Sequence, residues 1–145
     1  MMDPETEVRE LVMRWIDAVN DGTDLDAVVA DHTDDIVMFD VPPPYAGNRG
    51  AQAYRDSWPE FLAWQRAEGE FVVESLEVTA GDDIAYAFGL LRCGPKSGTS
   101  DEHPDQRLRL TIGLRRVDGA WRIAHEHHSF TDDRARRAAD SEGPG

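Results

Sequence analysis

The sequence predicts an α+β fold in which helices gather on one face of a strongly curved antiparallel sheet. Three observations predict it. The first half carries stretches of helical apolar spacing around one short apolar run, Ile36-Val37-Met38-Phe39. The second half reads as four longer strands separated by turn residues. Asp118-Gly119, between the last two, is a strong two-residue hairpin signal. Helices collected against one bent sheet give a cone with a pocket between the layers.

Taken in order, Asp3-Pro4-Glu5 starts a helix: an N-cap, a proline at the first helical position and an acid in the first turn. Val8, Leu11, Val12, Trp15, Ile16 and Val19 form its apolar stripe, and Asn20-Asp21-Gly22 ends it. Asp24 caps a short second helix. Thr33-Asp34-Asp35 turns the chain into a strand that ends at Asp40. Pro42, Pro43 and Pro44 then forbid both helix and ladder pairing, since each lacks a backbone N–H. A third helix covers about 51–67, with Pro59 kinking or splitting it and Ser57 placed to cap the second piece.

Strands follow at about 71–79, 84–93, 106–117 and 120–130. Between the second and third of these, residues 94–105 form a polar loop expected to act as a flap or to be disordered. Residues 1–131 make one domain, and 132–145, with no apolar side chain larger than alanine, make a flexible tail.

Composition narrows the function classes. A chain of 145 residues supports one domain with a real core. The formal charge of −14 argues against nucleic acid and against anionic membrane surfaces. A lone cysteine, Cys93, excludes an internal disulfide, and with no evident cationic neighbour except Arg92 it reads as inert packing. No apolar run approaches the roughly 18 residues of a membrane span, and the start is not that of a secretory signal. The expected setting is cytoplasmic.

Asp40 is the sharpest chemical candidate. A carboxylate at a strand end, held by a stiff proline segment and overlooked by an aromatic helix, suits proton abstraction next to a carbonyl. The same residue also suits the plain role of starting a turn. His125, Glu126, His127 and His128 share one strand, so Glu126 and His128 lie on one face and His125 and His127 on the other. A two-residue hairpin sets Arg109 opposite His128 and Thr111 opposite Glu126. The His125/His127 pair could supply two metal ligands, with His32 or His103 as a third. A dimer contact is the better reading, and no metal is expected.

The element order, with WIDAVNDGTDLDAVVADHTDDIVMFD and the ending DGAWRIAHEHHSF, resembles the nuclear transport factor 2-like superfamily. Within it, the SnoaL-like and ketosteroid isomerase-like branch is the nearest. The resemblance covers roughly residues 5–131. It implies the cone fold, with three helices on the concave face of the sheet. It implies Asp40 as general base. It places Trp15 at the isomerase's helix-one tyrosine, Gly113 at its second acid and Trp58 at a supporting tyrosine, so the isomerase's oxyanion donors are replaced. With Gly113 in the pocket, Arg109, Glu126 and His128 join it there.

The expected catalytic pair is therefore Asp40 and His128, with Trp15, His32, Tyr45, Trp58, Arg109 and Glu126 as the ligand-facing set. The function that follows is a cofactor-independent isomerase, cyclase or dehydratase acting on a compact apolar carbonyl compound. The alternative is a non-catalytic ligand-binding or assembly domain of the same fold. A homodimer is expected through the outer sheet face, where His125, His127, Leu110, Ile112 and Leu114 would project.

Overall fold

The computed structural model describes residues 2–96 and 107–132. Asp3 accepts the Thr6 N–H at 2.8 Å, and Pro4 opens helix α1, Pro4–Asp21. Gly22 ends the helix in the left-handed region at φ 72, donating to Ala18 O. Val8, Leu11, Val12, Trp15, Ile16 and Val19 are all buried, as their spacing requires. Asp24 caps α2, Leu25–Val29, by accepting from the Ala27 N–H.

Six strands form one sheet: β1 His32–Phe39, β2 Asn48–Arg49, β3 Gly69–Ala80, β4 Ile84–Pro95, β5 Leu108–Val117 and β6 Ala120–Ser129. Their order is β2-β1-β6-β5-β4-β3. From β3 to β6 the sheet is an antiparallel meander. Strand β1 adds to the free edge of β6 and runs parallel to it, so the sheet is mixed at that junction. The two-residue β2 pairs back onto β1. Helix α1 packs against β3, as does α4, Pro59–Glu68, while α3, Ala51–Asp56, packs against β1.

Two local expectations are corrected, and the expected break at Pro59 is found. Thr33, Asp34 and Asp35 lie inside β1, because the chain turns earlier, at Asp31 with φ 59, and the Ile123 N–H already bonds Asp31 O at 2.8 Å. The third helix splits at Ser57-Trp58 ahead of Pro59, which has no N–H to continue it. Ser57 does not cap the second piece; its hydroxyl donates to Tyr54 O at 2.6 Å and closes α3.

The correction that matters most concerns register. Val117 pairs with Ala120 across the Asp118-Gly119 turn, and Leu114 pairs with Ile123, as a two-residue hairpin demands. The next pair is Gly113 with His125, which leaves Ala124 without a partner on β5. This bulge reverses the phase of β6 against β5. His128 therefore sits opposite Leu110 and Glu126 opposite Ile112, all four buried on the inner face. Arg109, Thr111 and Gly113 face outwards with His125 and His127. Leu110, Ile112 and Leu114 belong to the core, so they cannot form the outer dimer surface expected of them.

The 94–105 loop falls mostly, and the tail after 132 wholly, outside the described residues. Among the described residues no helix is long and apolar enough to cross a membrane.

Candidate acid–base site

Asp40 follows the last residue of β1, and its Oδ1 accepts the Val41 N–H at 2.8 Å. The chain then folds back through Pro42–Pro44, with a cis Pro43–Pro44 bond, and Gly47 donates to Pro44 O at 3.0 Å. Gly47 sits at φ 85, and a Cβ there would lie 2.7 Å from a Phe39 ring carbon and 2.8 Å from Met38 O. Only glycine lets the turn return this close to β1. The Asp40 side chain remains 27% exposed, at the edge of a cavity rather than deep in the core.

That cavity has a volume of about 340 Å³. Its walls are mostly apolar: Trp58, Phe61 and Trp64 from the α3–α4 region, Phe71 and Leu108 from the sheet, Val41 and Pro42 from the proline turn, and Phe130. The polar members are Asp40, Ser57, Glu60, Cys93 and His128. Burial first, then the negative charges of Asp40 and Glu70, push the Cys93 thiol up to about 12, so it stays protonated and unreactive at neutral pH.

Behind the cavity wall lies a buried polar chain. Glu126 is fully buried, and its carboxylate accepts from the Tyr54 hydroxyl at 2.5 Å, from His32 Nε2 at 2.7 Å and from His128 Nε2 at 2.9 Å. Burial alone would raise its pKa; the donations from His128 and His32 outweigh that and bring it down to about 2. Tyr54 also accepts from the Trp15 indole N–H at 3.1 Å. Burial, and then the Glu126 charge, raise the Tyr54 phenol well above its ordinary value, so it acts as a fixed donor.

His128 connects this chain to the cavity. Trp15 meets its ring edge-on, with centroids 5.9 Å apart, and Trp58 lies 6.3 Å away. Its Nε2 is committed to Glu126, and its Nδ1 stands 3.8 Å from Asp40 Oδ1. That gap is too long for a hydrogen bond but can be bridged by one ligand or solvent atom.

The structure thus brings together Asp40, His128 and Trp58 on the cavity wall, with Trp15, Glu126 and His32 directly behind it. Two expected ligand-facing residues lie elsewhere. Tyr45 is 99% exposed, because the proline turn carries it away from the cavity. Arg109 is on the outer face by the register reversal, donating to Phe130 O at 3.1 Å. His32 is buried and bonded at both nitrogens, to Ala30 O and Glu126, so it supports the site without lining it. His125 and His127 flank Phe39 on the outer face, and His125 Nδ1 bonds Val37 O at 2.7 Å. Among the described residues no group of three or more His, Cys, Asp or Glu is arranged to hold a metal ion. His103 lies outside the described residues.

The sequence did not single out Tyr54 as part of this site, nor Phe71 and Phe130 as cavity walls. The available signal for Tyr54 was a phenol at a core position, which needs a buried partner.

Residues 8–133 match the family model for the SnoaL-like domain. An NTF2-like protein of unknown function from Pseudomonas putida KT2440 is 35% identical, with a TM-score of 0.75 over 91% of this chain and 89% of that one. A candidate ketosteroid isomerase from Shewanella frigidimarina NCIMB 400 is 18% identical, with a TM-score of 0.63 over 83% and 92%. A candidate aromatic ring hydroxylase from Novosphingobium aromaticivorans is 19% identical, with a TM-score of 0.61 over 88% and 89%. The last two share the fold and differ from each other in named activity, so fold alone does not choose between them. No curated protein matches the sequence.

Proposed function

The chain belongs to the SnoaL-like domain family of the nuclear transport factor 2-like superfamily, and from that premise we propose that it is a proton-transfer enzyme acting on a compact, largely apolar carbonyl compound. One observation carries this reading: a carboxylate and an imidazole, Asp40 and His128, stand 3.8 Å apart at the edge of an aromatic-walled cavity.

In the proposed step Asp40 takes a proton from the carbon next to the ligand carbonyl. The C–H electron pair moves into the enolate, and the new O–H bond is on Asp40. The proton is returned to another ligand atom by Asp40 itself or by way of His128 Nδ1. Trp58, Phe61 and Trp64 keep water from the reacting carbon, which strengthens the electrostatic effect of both groups. Isomerisation, aldol-type cyclisation and dehydration all use this step. Each is redox-neutral and asks for no cofactor. Arg109, on the outer face, has no part in it.

The test is ligand capture. Native mass spectrometry after exposure to a set of neutral cyclic ketones should retain one or more of them, and Trp64→Asp, which charges the cavity wall, should lose them. Failure to retain any neutral carbonyl compound would favour a non-catalytic assembly role for the fold.

A further inference from the structure

His32 does not line the cavity, and yet among the described histidines it is the one bonded at 2.7 Å through both ring nitrogens, to Ala30 O and to Glu126 Oε2. A backbone carbonyl only accepts, and a carboxylate only accepts. Each nitrogen therefore needs its own proton, and only the imidazolium satisfies both bonds. The side chain is 2% exposed and lies beside the fully buried Glu126.

The same logic runs on to His128. The Glu126 carboxylate accepts from His128 Nε2, so that nitrogen carries the proton and Nδ1 of the neutral ring is left as an acceptor. Nδ1 is the nitrogen that faces Asp40. We propose that His32 is a positioning residue: as a buried cation it keeps Glu126 ionised, and Glu126 in turn fixes the proton of His128 on Nε2 and leaves Nδ1 open towards Asp40 and the cavity. The inference rests on His128 being a proton-handling group of the proposed reaction.

The surroundings leave this role to His32. Glu126 is faced by His32 from β1, by His128 from its own strand and by the neutral Tyr54 phenol from α3. His128 is faced by Asp40 beyond the end of β1 and by the indoles of Trp15 and Trp58. The arginines near His32 are Arg115 and Arg122, bordering one hollow, and Arg55, bordering another. Arg115 is paired with Asp35, and Arg55 with Asp26 at 2.6 Å. Among the described residues, the side chain in contact with Glu126 Oε2 that can carry a positive charge is His32. Without it, a carboxylate with no access to water would gain by taking a proton of its own, and a protonated Glu126 could donate to His128 and reverse its tautomer.

Imidazole ¹⁵N NMR tests this on the whole chain with no ligand and no turnover. At neutral pH the parent should show His32 protonated at both nitrogens and His128 neutral with its proton on Nε2. His32→Gln should move His128 to a mixture of tautomers or to Nδ1–H. Tyr54→Phe, which removes a donor to Glu126 but no charge, should leave the Nε2–H tautomer in place.

A parent spectrum with the His128 proton on Nδ1, or with His32 singly protonated, overturns the proposal even if no variant folds. So does a His32→Gln spectrum in which His128 is unchanged, or a Tyr54→Phe spectrum that shifts as far as His32→Gln. Failure of Asp40→Asn to alter turnover would instead remove the proposed reaction and leave these tautomers as they are.

Discussion

The Tyr54 hydroxyl donates to Glu126 Oε2 at 2.5 Å while accepting the Trp15 indole N–H at 3.1 Å, tying α1, α3 and β6 together through one oxygen. Tyr54→Phe removes that oxygen without changing the shape of the ring. It leaves a buried indole N–H unpaired and takes one of three donors from a buried carboxylate. Each such loss costs about 1–3 kcal/mol. Urea unfolding should therefore show a lower midpoint at unchanged slope. A midpoint equal to the parent's would mean that solvent reaches this cluster.

Acid should unfold the protein through Glu126. Its folded pKa of about 2 lies below its ordinary 4.5, so the unfolded chain binds the proton first as pH falls. The stabilisation is fully present above the unfolded value and is lost as pH falls through the folded one. The expected size is about 3 kcal/mol. In Glu126→Gln this pH dependence should flatten between about pH 5 and pH 2, on top of an overall loss of about 3–5 kcal/mol from stranding the His32 cation. An equally steep acid transition in the variant would assign it to other carboxylates.

We propose that the homodimer forms through the outer face of β3 and β4, with a different set of residues from those the alternation of β5 suggested. Tyr86 and Phe88 stack there with centroids 6.3 Å apart, and Val72, Ile84 and Leu90 are exposed on the same sheet. Contiguous apolar surface of this kind is costly in a monomer. Light scattering at micromolar concentration should give twice the chain mass, and Phe88→Glu should give the chain mass while circular dichroism is retained. A monomeric parent would remove the idea.

What the sequence revealed follows from how local each signal is. Asp3-Pro4, Gly22 and Asp118-Gly119 act within a few residues of themselves, and each does in the structure what its chemistry dictates. Asp40 beside a proline turn is legible for the same reason. The bulge at Ala124 is not local, since it appears only when β6 is laid against β5. A clue was present: Leu108, Leu110, Ile112 and Leu114 alternate in phase with Trp121 and Ile123 across the turn, whereas Glu126 and His128 fall out of phase. Giving weight to that apolar alternation, rather than to the position matching Gly113, would have moved Arg109 outwards and Leu110 inwards. The parallel pairing of β1 with β6 and the meeting of His32, Tyr54 and Glu126 join residues far apart in the chain, and no short-range pattern encodes them.

The central claim is that Asp40, partnered by His128, moves a proton at a carbon of a bound carbonyl compound. Solvent-deuterium incorporation into such a ligand reads that step directly, before any later chemistry. The account predicts exchange catalysed by the parent that falls about 10²–10⁴-fold in Asp40→Asn, with circular dichroism unchanged. Exchange in a folded Asp40→Asn variant within a few-fold of the parent would contradict it and make Asp40 a turn residue.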